Sequence, residues 1–167
     1  GAASSTGTVM NVSGGRVEFD GSTILGGLLS QTAGEPSFTY HHSVFEGEQS
    51  PQVVLAGLHD AGGAVNDSLE VRGNLHFNSA TLSLLNPCSA SASSFAHLSG
   101  SGLLWLRHYP DADLIIPAGE QLENEIAIAG LGEIKGDGAL INQAVGNIQA
   151  YEGTLHLYPG QTLNAGV

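Results

Sequence analysis

Cations are nearly missing from this 167-residue chain: one lysine and three arginines stand against sixteen acidic residues. A net charge of −12 repels phosphate backbones, and Arg16, Arg72, Arg107 and Lys135 are too dispersed to form a basic patch. Nucleic acid is therefore not expected as a partner. Long apolar runs are missing too. The longest, Gly102-Leu-Leu-Trp-Leu106, has the length of a strand, whereas a membrane-spanning helix needs about 18 residues or more, so no membrane insertion is expected. Cysteine occurs once, as Cys88, which excludes an intrachain disulfide and any multi-cysteine metal site. In Asn-Pro-Cys-Ser-Ala-Ser it reads as a free thiol in a small-residue loop.

Helix signals are scarce as well. No window sustains apolar residues at i, i+3, i+4 and i+7, and 24 glycines recur too often for helices, at about 1 kcal/mol for each interior glycine. What remains is short alternating or apolar segments: RVEF, LEVRGNLHF, TLSLL, GLLWLRHY, DLIIP and GTLHLY. Each is bounded by Gly, Asn, Asp, Ser or Pro. The chain reads as all-β.

A sandwich would supply hairpins without internal repetition, but this sequence repeats. Asn124, Asn142 and Asn164 each follow a Glu, Ile or Leu within alike surroundings, 18 and 22 residues apart, and two Gly-x-Ile units place Ile134 and Ile148 14 apart. Coils of about 20 residues, stacked ~4.8 Å apart, would set like side chains over like. Inward Ile, Leu and Val then form aliphatic columns. Asn124, Asn142 and Asn164 become corner residues, each amide able to bond to the Asn of the next coil. The expected fold is a single-stranded right-handed parallel β-helix, a β-solenoid. One such domain spans 1–167, as a piece of a longer protein, with irregular or loop-bearing coils over 31–65.

The segment LENEIAIAGLGEIKGDGALINQAVGNIQAYEGTLHLYPGQTLNAG resembles the repeats of large bacterial surface and secreted proteins of the autotransporter-passenger and filamentous-haemagglutinin kind. The matching positions are Leu122, Asn124, Ile126, Gly130, Gly132, Ile134, Asn142, Gln143, Ile148, Ala150, Gly153, Leu155 and Leu157. Ala144 and Val145 stand where the pattern has glycine directly after Asn-Gln. The likeness is good over 120–166, fair over 8–30 and 66–86, and fades over 31–65. It implies an extracellular or cell-surface scaffold with an adhesive or stalk role, stacked on neighbouring repeats and meeting a glycan or a surface protein.

Polysaccharide-active enzymes also use β-helices, so carboxylates that could converge across coils were sought. Asp113 and Glu133 lie 20 residues apart, and Glu133 and Glu152 lie 19 apart, neither a distinctive pattern. The expectation is a non-enzymatic segment, with a carbohydrate-active enzyme or glycan-binding module as the alternative. No cofactor is called for, although Asp111 and Asp113 could offer oxygen ligands to Ca²⁺. Of seven histidines only His41 and His42 are adjacent, and neighbouring strand residues face opposite ways. His76 and His156 read as outward positions. Because coil residues are committed to stacking, binding is expected where the repeat fades, at Tyr40, His41, His42 and Phe45. For the aromatics themselves the favoured reading is that they plug the core of an irregular coil.

Overall fold

The computed structural model describes residues 3–4, 9–32, 38–48, 52–108 and 112–165. All its regular structure is strand, because apolar and polar residues alternate and glycine or asparagine takes the corners. In chain order the strands are β1 (Ala3–Ser4), β2 (Val9–Val12), β3 (Val17–Asp20), β4 (Thr23–Leu25), β5 (Gly27–Gln31), β6 (Phe38–His41), β7 (Ser43–Gly47), β8 (Val53–Ala61), β9 (Asp67–Leu84), β10 (Cys88–Leu106), β11 (Ala112–Ile115), β12 (Gln121–Asn124), β13 (Ala127–Gly130), β14 (Glu133–Asn142), β15 (Asn147–Ala150) and β16 (His156–Asn164).

Every pairing among them is parallel, and together they make three ladders. The first runs β1–β4–β7–β9–β10–β11–β14–β16. The second runs β2–β5–β8–β9–β10–β12–β14–β16. The third runs β3–β6–β8–β9–β10–β13–β15. The chain winds through one ladder after another, a parallel β-solenoid of about 6 turns with partners about 22 residues apart. Within 31–65, the described residues form part of β5 and all of β6, β7 and β8.

The core lies inside the coils. In the third ladder Phe38, His59, Leu82, Leu104 and Ile128 stack in register and are all buried. In the first, Leu69, Ala90, Leu114 and Ile134 do the same. Gly130 shows how tightly coils approach. Its φ is +132°, and a Cβ there would lie 1.9 Å from the Leu106 carbonyl oxygen, so no other residue fits.

The loop expected around Cys88 is instead the start of β10, which passes through all three ladders as 19 residues. Cys88, Ala90, Ala92 and Ala96 point inward and are buried. A Ser/Ala run carries little strand propensity of its own. Here it is held because β9 pairs along one edge, with β11 and β12 on the other. The small side chains leave an apolar void of about 10 Å³ bordered by Leu69, Val71, Ala90, Ala92 and Leu114.

Candidate functional site

The corner between β6 and β7 is a single residue, His42, at φ +47°. Strand alternation sends Phe38 and Tyr40 inward before it, and Phe45 inward after it. Tyr40 and Phe45 are 0% and 1% exposed and meet edge to face at 4.8 Å between centroids. They line the core, out of reach of a surface ligand. Phe19 stacks on Tyr40 at 5.5 Å, and Phe38 on His59 at 5.1 Å.

His59 is the polar member of this stack. Its Nε2 lies 3.1 Å from the Ala56 carbonyl, which can only accept, so that nitrogen carries the proton. Nδ1 then accepts from the Tyr40 hydroxyl at 2.9 Å. Burial lowers the His59 pKa to about 4, leaving a neutral ring at pH 7, and burial raises the Tyr40 phenol well above its usual value.

His41 and His42 remain outside the core and converge on one buried carboxylate. His41 Nδ1 lies 2.8 Å from Asp67 Oδ2, which also accepts the Ala64 amide at 2.6 Å. His42 Nδ1 lies 3.4 Å from Asp20 Oδ1 and 3.7 Å from Asp67 Oδ1. The corner thus brings two of the four residues singled out here together on Asp67, and buries the other two.

The three asparagines occupy one column of the second ladder, in register. Asn124 Nδ2 donates to Asn142 Oδ1 at 2.8 Å, and Asn142 Nδ2 donates to Asn164 Oδ1 at 2.9 Å. Asn124 also closes its own corner, donating to the Ile126 carbonyl at 3.0 Å. Asn124 and Asn142 are both buried, so each amide needs these partners.

Of the acid pairs, Asp113 and Glu133 are register neighbours, whereas Glu133 aligns with His156 and not with Glu152. Lys135 sits between the first two, Nζ 2.7 Å from Asp113 Oδ2 and 2.8 Å from Glu133 Oε2. Hydrogen bonds to Asp113 and Glu133 raise its pKa, so the ammonium keeps its charge and offsets part of the pair's. Asp111, the other half of the Ca²⁺ suggestion, lies outside the described residues. Among the described residues no group of three or more His, Cys, Asp or Glu could hold a metal ion. Cys88 is buried, and desolvation with the Asp67 charge raises its pKa to about 12, so the thiol stays protonated and inert. His76 faces outward, with Nδ1 3.1 Å from the Ser99 hydroxyl.

One surface feature escaped the sequence reading: a cleft beside Phe95, which is 67% exposed. The available signal was a lone bulky aromatic closing the Ser-Ala-Ser-Ser run.

Coil, core and asparagine column define the chain as a parallel β-solenoid repeat protein. No family model, curated protein or solved structure matches it significantly.

Proposed function

We propose that the chain is a non-catalytic scaffold segment of an exported bacterial surface protein, of the autotransporter-passenger or filamentous-haemagglutinin kind, serving as a stalk or adhesive module outside the cell. The observation that carries this reading is the asparagine column on top of aliphatic columns, in which inward side chains of the repeat are committed to stacking. About 6 turns at ~4.8 Å each make a rigid section roughly 30 Å long. The outward side chains are then free to meet a glycan or a surface protein.

The test is a panel of plant and microbial polysaccharides assayed for new reducing ends and unsaturated products, run beside a glycan array and host matrix proteins. Binding without turnover supports the proposal, and turnover overturns it. One observation favours the alternative of a carbohydrate-active enzyme, the register pairing of Asp113 with Glu133. On that reading turnover exists and is lost in Asp113→Asn and Glu133→Gln.

A further inference from the structure

At the corner between the first and second ladders, four coils leave a cleft of about 240 Å³ bordered by Phe95, Glu120, Gln121, Asp137 and Gln161. It continues into a second cleft of about 550 Å³ that shares Gln121, Ala139 and Gln161 and adds Ile141 and Leu163. Gln121, Ala139 and Gln161 are register partners on successive coils, so the combined groove runs along the stacking direction.

Phe95 is held outward at some cost. It and Ser94 both sit at φ +53°, in the left-handed region that a bulky side chain avoids. The residue gains little burial in return, being 67% exposed. The Phe95 N–H donates to Glu120 Oε2 at 3.4 Å. Gln121 Nε2 donates to Glu123 Oε1 at 3.1 Å. None of the lining residues is a lysine or arginine.

We infer that this groove binds a linear oligosaccharide free of acidic sugars, the Phe95 ring taking the C–H face of one sugar. Carboxylates of Glu120 and Asp137 accept its hydroxyls, and the carboxamides of Gln121 and Gln161 both donate and accept. A chain lying along the coils meets a new row of side chains every ~4.8 Å, a spacing of the same order as one sugar residue. The two uncompensated carboxylates reject uronates by charge. This inference rests on the adhesive reading above and names its ligand and site.

The experiment is an array of neutral, N-acetylated and uronate-containing oligosaccharides of several linkages, followed by titration calorimetry on the best binder. Phe95→Gly removes the ring and suits the left-handed backbone, so its thermal midpoint holds or rises while affinity falls about tenfold or more. Paired Glu120→Gln and Asp137→Asn substitutions weaken neutral binders and relax the exclusion of uronates. Unchanged affinity in Phe95→Gly, a preference for uronates, or no sugar bound at all overturns the inference. None of these outcomes overturns the scaffold proposal, which is overturned by polysaccharide turnover.

Discussion

The N-terminal coils and the C-terminal coils fill the same backbone with different chemistry. Around β3 to β8 the core is a stack of rings, Phe19, Phe38, Tyr40 and His59, with Phe45 set edge-on. From β11 onward it is aliphatic, Leu114, Ile126, Ile128, Ile134 and Leu140, edged by the asparagine column. Coil stacking demands that like shapes sit over like, and rings or amides satisfy it equally. The energetic consequences differ. Rings bury far more apolar area per residue, an imidazole among them makes the region sensitive to acid, and amides contribute less but fix the register.

The largest break in this comparison is expected at Tyr40. Tyr40→Ala opens a cavity among rings and strips His59 Nδ1 of its donor, a loss of about 3 to 5 kcal/mol by denaturant titration. Ile128→Val, its aliphatic counterpart, costs about 1 kcal/mol. Similar small losses at both positions would mean that the rings add nothing beyond ordinary side chains.

Acid should separate the two regions next. The His59 pKa is lowered from 6.5 to about 4 in the folded chain, so the unfolded chain takes up the proton first. Stability from this residue is full above pH 6.5 and is lost as pH falls towards 4, roughly 3 kcal/mol in all. The checking measurement is the difference in unfolding free energy between wild type and His59→Leu across that range. A difference that does not change with pH removes His59 as the source.

Asn142 comes third, because it bonds on both sides while Asn164 bonds to it alone among the ladder asparagines. Asn142→Ala leaves amides unpaired in two neighbouring coils and costs about 1 to 2 kcal/mol. Asn164→Ala, at an exposed position, costs less, and so does Asn78→Ala, also exposed. Equal losses at all three would dissolve the ladder as an energetic unit.

These two regions were unequally legible. The asparagine column could be read from spacing because an amide ladder demands the same residue once per coil, and Asn124, Asn142 and Asn164 comply. The aromatic region was legible only in part: its rings could be read as plugging the core, but Phe38, Tyr40 and Phe45 carry no repeat spacing that fixes them at the inward positions held elsewhere by Leu or Ile, and His beside Tyr suggests a surface. Long strands were hidden for another reason. β9 and β10 turn two corners without interruption, at residues such as Ser79 and Ser94 with φ near +50°, so no break marks the change of ladder. Phe95 was invisible as a site because its cleft is assembled from four coils, and Glu120 and Asp137 acquire meaning only through register.

The smallest expected effect lies where the two regions agree. On the outer face of the first ladder each repeats one device, an acid two residues before a cation that also reaches the preceding coil. In the N-terminal part Arg72 bonds to Glu70 at 2.8 Å and lies 3.7 Å from Glu46. In the C-terminal part Lys135 holds Glu133 and Asp113 at 2.8 and 2.7 Å. The hydrogen bond from Arg72 lowers the Glu70 pKa, as expected for a carboxylate favoured in its charged form. Both cations are substantially exposed, 41% for Arg72 and 35% for Lys135, so solvent screens most of the attraction and each should contribute under about 1 kcal/mol. Lys135→Met should cost more than Arg72→Met, because Asp113 is mostly buried and keeps one oxygen without a partner. Both losses should shrink as salt rises from 0.01 M to about 1 M, where the screening length falls to ~3 Å. Unfolding titrations of the two variants at both salt concentrations measure this directly. A salt-independent loss at Lys135 would assign its contribution to the packing of its aliphatic stem and not to its charge.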